Sequence, residues 1–290
     1  MRDAFGHAGA HRLYEMEDVV PDVDLPPVAW AGAMPLRDRH IVVTGGSHGL
    51  GEQIVRVLLA QGALVSTCAR RAEPLNALDA LVRAKGLPAL FTRALDVTDP
   101  QALEDFVDAA AAERGGLHGV VACAGGARGR GLEEASAQDW TMTWELNAGH
   151  TARLAAAATP HLRASGGGSV VVVASISGWK PGPQAQYGAA KAAQIHLVSS
   201  LARELGPDGI RVNAVSPGSM LIPGKRWDRM RLEAPDVYER FLDEFPTRSL
   251  VSPVEVAEVV AFLLSDRSSG VSGANVPVDR AQNAPTPTGY

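Results

Sequence analysis

Seven short runs of β-branched and other apolar residues punctuate the chain, at 41–43, 64–68, 89–95, 120–122, 170–173, 211–215 and 275–278. Each predicts a strand. Between them lie longer Ala- and Leu-rich stretches, which predict helices near 50–61, 73–85, 100–114, 137–164, 186–205 and 253–265. Such alternation predicts an α/β fold: a doubly wound parallel sheet with helices on both faces. The run "SVVVV" fits a strand buried on both sides, which is apolar throughout rather than alternating. Local punctuation agrees. Asp99-Pro100 opens one helix; in "SPVE", Ser252 caps another, Pro253 takes its first position and Glu255 completes a capping box.

Residues 1–34 break this pattern. Their prolines and lack of period predict an arm, disordered or draped over a partner subunit, ahead of one domain at 35–290. Composition is ordinary for a soluble globular chain of 290 residues, with 46% apolar and 20% charged. A formal net charge of −5 gives no support to nucleic-acid binding. Cys68 and Cys123 lack the spacing of a disulfide scaffold or zinc site, so a reducing compartment is expected. His7 and His11 have no third ligand, and no metal site is predicted. The N-terminus lacks the apolar run of a signal peptide, and no stretch approaches the length of a membrane span. The expectation is a cytoplasmic protein.

The first predicted strand runs into "TGGSHGLGEQIVRVLLAQG". Gly45, Gly49 and Gly51 allow a tight turn and close backbone approach to a pyrophosphate, and the following helix offers free N–H groups. Between a first strand and a first helix, this is a dinucleotide signal. The next strand ends in "STCARRAEPL", with Ala69 where a free ribose usually meets a carboxylate. Arg70 and Arg71 follow and suit a 2′-phosphate, with His48 as an additional donor. NADP(H) is therefore favoured, with NAD(H) as the alternative.

In "SISGWKPGPQAQYGAAK", Ser175 ends the central strand, where ligands bind in such sheets. Tyr187 and Lys191 stand at i and i+4 of the next helix, on one face. An ammonium beside a phenol stabilises phenolate, so the pair predicts a general acid–base with Ser175 polarising the substrate oxygen.

These residues resemble the short-chain dehydrogenase/reductase family, in particular its 3-oxoacyl-[acyl-carrier-protein] reductase-like members. "TGGSHGLG" is similar to the family's glycine loop, which assigns Ser47 and Leu50 to it as well. "YGAAK" resembles its Tyr-x-x-x-Lys, and "SISG" its serine segment. By the same resemblance, Asp96 and Val97 in "LDVTD" contact adenine, and Cys123, Ala124 and Gly125 in "ACAG" border the cofactor. Asn147 in "WELNAGH" holds a water of a proton relay, and Pro217 and Gly218 in "RVNAVSPG" lie beside the nicotinamide. The likeness spans about residues 36–280 and implies a single-domain Rossmann fold, NAD(P)(H) as hydride carrier, a small carbonyl or alcohol substrate and a homodimer or homotetramer.

Three departures stand out. Cys123 replaces an Asn that steadies the fourth strand; "SMLIPGK" lacks the Thr that binds the carboxamide, leaving Ser219 as candidate; and the C-terminal Asp-Gly-Gly reads "VDRAQ". Segment 219–250 corresponds to the substrate lid, where Met220, Leu221, Ile222 and Trp227 mix with Lys225, Arg226, Arg229 and Arg231. That mixture suits a hydrophobic carbonyl compound with an acidic group. Trp140 and Trp144 read as packing or subunit-contact residues. The alternatives are an NAD(H)-dependent alcohol dehydrogenase of the same family and a non-catalytic cofactor-binding scaffold.

Overall fold

The computed structural model describes residues 35–284; the arm expected at 1–34 lies outside the described residues. Seven strands form one parallel sheet: β1 (His40–Thr44), β2 (Leu64–Ala69), β3 (Phe91–Ala94), β4 (Gly119–Ala122), β5 (Gly168–Val173), β6 (Ile210–Pro217) and β7 (Asn275–Val278). Their spatial order is β3-β2-β1-β4-β5-β6-β7. The order reverses between β1 and β4, which opens a crevice at the strands' C-terminal ends.

The sheet is buried on both sides because its central strands send alternate apolar residues into two cores. Ile41, Val43, Val121, Val171 and Val173 point into one core. It is covered by α1 (Gly49–Ala60), α2 (Ala72–Ala84) and α10 (Pro253–Leu264). Val42, Val120, Val170 and Val172 point into the other. There α3 (Pro100–Arg114), α6 (His150–Ala164) and α7 (Ala185–Leu205) pack. Burying a Val or Ile side chain contributes roughly 1.5–3 kcal/mol, so each strand stabilises two layers at once. The predicted caps form: the Asp99 carboxylate accepts from Ala102 N–H at 3.1 Å, and Ser252 and Glu255 make a reciprocal capping box.

The helix expected over 137–164 is divided. Helix α5 (Ala137–Trp144) passes through a wider turn at Glu145–Gly149 before α6. Asn147 sits in that turn and donates from Nδ2 to the Thr143 carbonyl at 2.7 Å. Three short helices have no counterpart in the sequence reading: α4 (Gly131–Glu134), α8 (Arg226–Glu233) and α9 (Pro235–Phe241). The last two lie between β6 and α10. Leu242, Phe245 and Leu250 form a small core of that segment's own, against which Trp227 and Phe241 stack at 3.8 Å. Among the described residues, no helix is long and apolar enough to cross a membrane.

Two histidines are buried away from solvent. His40, on β1, donates from Nδ1 to the Gly116 carbonyl at 2.6 Å and meets Ser66 Oγ through Nε2 at 2.8 Å. Burial lowers its pKa from 6.5 to about 4, and that of His150 to about 3. The unfolded chain therefore takes up these protons first as pH falls. Stability is fully present above pH 6.5 and is lost on the way down toward about 4. For His40 the loss is on the order of 3 kcal/mol. The thermal midpoint is expected to drop across that window. A flat midpoint over the same range would remove both histidines as the acid-labile groups.

Candidate active site

A cleft of about 910 Å³ lies along the C-terminal ends of β1, β2, β4, β5 and β6. The glycine loop forms one wall, through Gly45, Ser47, His48, Gly49, Leu50 and Gly51. Gly45 and Gly49 have φ of +77° and +59°, the left-handed region that glycine enters without cost. Gly51 has a different reason. A Cβ there would stand 2.1 Å from the Gly45 carbonyl oxygen, so only glycine lets the first turn of α1 close on the loop. The exposed α1 N-terminus and the glycine cradle fit a dinucleotide pyrophosphate.

Arg70 and Arg71 line the cleft past Ala69, and Asp96 and Val97 face them beyond β3. Lys225, from the segment after β6, lines the same region. The field there is positive. Burial holds the His48 imidazole below its ordinary pKa, and the Lys225, Arg71 and Arg70 charges add to the lowering against Glu52. Burial alone would raise the Asp96 carboxyl. Two hydrogen bonds from Thr98, with Arg70 and Arg128, pull it below its ordinary value instead.

Ser175, Tyr187 and Lys191 meet at the centre of the cleft. Ser175 Oγ accepts from Ser177 N–H at 3.1 Å, and its hydroxyl is hydrogen-bonded to the Tyr187 side chain. Lys191 is buried, and its ammonium donates to the Val173 carbonyl at 2.8 Å. It lies over the Tyr187 ring, 5.5 Å from its centre. Burial lowers the Lys191 pKa to about 8, so most of its charge survives at neutral pH.

One expectation is corrected here. The i,i+4 spacing predicts an ammonium that pulls the phenol pKa down. In the structure burial pushes Tyr187 upward, and a hydrogen bond with Ser175 only partly opposes it. The physical reason is burial: taking the phenol out of water disfavours its charged form more than its neighbours favour it.

Asn147 is brought beside the cleft without lining it. Its Nδ2 donates to the Gly126 carbonyl at 2.7 Å, and its Oδ1 accepts from Gly126 N–H at 3.3 Å. The side chain thus locks the loop carrying Ala124 and Gly125, both of which line the cleft. The main-chain carbonyl of Asn147 accepts from Thr151 Oγ1 at 2.9 Å and Gln194 Nε2 at 3.3 Å.

Cys123 lines the cleft, but burial pushes its thiol up to about 12, far from the thiolate of a redox sensor. The end of β4 is steadied instead by Thr44. Its hydroxyl accepts from the Cys123 and Ala124 N–H groups at 3.1 and 3.3 Å and bonds His150 Nε2 at 2.9 Å. No spacing rule pairs His150 with Thr44, 106 residues away, so the sequence reading missed it.

Pro217 and Gly218 lie in the cleft with Met220 and Ile222, whereas Ser219 does not line it. The carboxamide role considered for Ser219 is corrected: its N–H and hydroxyl face the Gln282 side chain. The basic edge expected in 219–250 is likewise reduced. Only Lys225 reaches the cleft; Arg226 stacks on Trp227 at 4.6 Å, and Arg231 pairs with Asp228 at 3.0 Å.

The sequence pattern of the family described as enoyl-(acyl carrier protein) reductase matches residues 45–280. This chain belongs to the short-chain dehydrogenase/reductase family. Its relatives within the family include isoepoxydon dehydrogenase of Aspergillus clavatus, 35% identical over 252 residues that cover 85% of this chain and 95% of that one. The 3-oxoacyl-[acyl-carrier-protein] reductase of Escherichia coli is 32% identical over 247 residues, covering 85% and 98%. Among solved structures, a short-chain type dehydrogenase/reductase from Mycobacterium ulcerans superposes with a TM-score of 0.79 at 31% identity, over 85% of this chain and 90% of that one. As a member of this family the chain is an oxidoreductase of alcohol and ketone substrates that uses a nicotinamide cofactor.

Proposed function

We propose that this short-chain dehydrogenase/reductase interconverts a secondary alcohol and a ketone with NADP(H), and that Tyr187 is its general acid–base. The observation that carries the reading is the convergence of Ser175, Tyr187 and Lys191 in the cleft that the glycine loop borders. A bound nicotinamide supplies or accepts the hydride. The chain's own residues handle the proton. Because burial raises the Tyr187 pKa, the phenol carries its proton at neutral pH and donates it to a carbonyl oxygen during reduction. The Ser175 hydroxyl, which bonds the Tyr187 side chain in the structure, donates to the same oxygen and stabilises the charge developing there. Lys191 keeps a positive charge behind the ring, favouring the phenolate that remains.

Preference for NADP(H) rests on the two arginines after β2 and the cationic field about His48. Met220 gives the cleft an apolar wall near Pro217 and Gly218, in keeping with a hydrophobic carbonyl compound. The enzyme works in the cytoplasm as a homodimer or homotetramer. Trp140 and Trp144, 36% and 49% exposed on α5, contribute to the subunit contact.

Cofactor titration by nicotinamide fluorescence tests the preference. Arg70→Ala with Arg71→Ala is expected to weaken NADPH binding about tenfold or more and to leave NADH nearly unchanged. Equal losses for both cofactors would overturn the assignment of these arginines to a 2′-phosphate.

A further inference from the structure

The end of the described chain folds back onto the substrate side of the cleft, and the contacts of one carboxamide account for where it lands. Past β7, the chain makes a tight turn in which Arg280 and Ala281 adopt φ of +50° and +62°. Neither is glycine, and each such residue costs about 1–2 kcal/mol. Several bonds hold the turn despite that cost. The Asp279 carboxylate accepts from the Ala281 and Asn283 N–H groups, each at 3.1 Å. Arg280 grips Glu255 through Nη2 at 2.6 Å and Nε at 3.2 Å, and donates to Ser249 Oγ.

The residue this turn delivers is Gln282, which is 7% exposed. Its Oε1 accepts from Ser219 N–H at 2.8 Å. Its Nε2 donates to Ser219 Oγ at 3.1 Å and to Glu244 Oε2 at 3.0 Å. Its main-chain carbonyl accepts from Lys180 Nζ at 3.2 Å, and the same ammonium pairs with Glu244 at 2.8 Å. Ser219 begins the excursion that carries α8 and α9, and Glu244 lies near its end. Lys180 belongs to the loop between Ser175 and Tyr187.

We propose that Gln282 is a positioning residue: its carboxamide fastens both ends of segment 219–250 to each other, while its main-chain carbonyl and Glu244 hold Lys180 of the loop after Ser175, and so it sets the wall that this segment gives the cleft. The inference rests on the cleft being the substrate site, but its geometry does not depend on the reaction. Only a carboxamide meets all its side-chain partners. It accepts from a main-chain N–H while donating to a hydroxyl and to a carboxylate. A carboxylate in the same place accepts equally well from Ser219 N–H but faces Glu244 as a like charge.

The test compares wild type with Gln282→Glu and Gln282→Leu by hydrogen–deuterium exchange, corrected for intrinsic rates, at about pH 8 and about pH 6. At the higher pH, both variants are expected to lose protection over 219–250 by about tenfold, while β1, β4 and β5 keep theirs. At the lower pH Gln282→Glu regains protection, because a carboxyl crowded by Glu244 takes up a proton and donates again; Gln282→Leu does not recover. With a turned-over alcohol or ketone, KM is expected to rise about tenfold with kcat within about twofold. Wild-type exchange over 219–250 in both variants would overturn the proposal, as would a loss spread evenly over the sheet or no recovery with pH. If the exchange result holds but KM does not move, the clamp stands and the assignment of this end of the cleft to substrate fails.

Discussion

Replacing Tyr187 by Phe is expected to lower turnover about a thousand-fold, because general acid–base catalysis of this kind contributes roughly a hundred- to ten-thousand-fold. In barrier terms this is about 4 kcal/mol. The substitution removes one oxygen and leaves the ring, so packing is conserved. Lys191 keeps its bond to the Val173 carbonyl and its place over the ring. Cofactor affinity and thermal stability are therefore expected to stay near wild type, and the loss to fall on kcat. Stopped-flow reduction with saturating NADPH, beside a fluorescence titration, separates the two quantities. A variant that binds cofactor and turns over at a near-normal rate would displace Tyr187 as the proton donor. It would leave Ser175 and solvent as the remaining sources. A variant that fails to bind cofactor would show instead that the phenol serves the binding site.

The second large effect lies at the other end of the cleft. Gly51→Ala places a methyl group 2.1 Å from the Gly45 carbonyl oxygen and 2.8 Å from its carbon. These are main-chain atoms, so the clash is relieved only by lifting α1 away from the loop. Overpacking of this sort costs about 1–3 kcal/mol in stability. The displaced N-terminal N–H groups lose their aim, and NADPH affinity is expected to fall about a hundred-fold, or about 2.7 kcal/mol. Gly49→Ala makes the informative control. Its Cβ would meet only Ile222, at 3.7 Å, so the cost reduces to the strain of φ +59°. Calorimetry of both variants, with and without NADPH, distinguishes a loop built for a phosphate from one built only to turn. Should Gly51→Ala bind as tightly as Gly49→Ala, close approach of the α1 turn would have no part in holding the cofactor.

What the sequence made legible is what short spacing controls. The glycine loop and the Tyr187–Lys191 pair are local, and each sits on an element that its own pattern predicts. Strands β1, β4 and β5 were plain because burial on both faces leaves continuous apolar runs. Burial was not legible. A period of four places Lys191 beside Tyr187, yet how deeply the phenol is buried depends on the whole fold, and that burial dominates its pKa. Helices α8 and α9 escaped because they are short, charged and interrupted by prolines, and because their apolar residues face a small separate core. Gln282 escaped for another reason. Its partners Glu244, Ser219 and Lys180 stand 38, 63 and 102 residues away, a separation that no motif spans.

The segment with its own small core has an evolutionary consequence. Leu242, Phe245 and Leu250, with Trp227 stacked on Phe241, hold together without borrowing side chains from either large core. A lineage can therefore rewrite this piece wholesale, trading one preference for another, while the sheet and its nucleotide cradle stay as they are. The graft has to keep hydroxyls at 219 and 249 and an acid at 244, where the borrowed cassette plugs into the host.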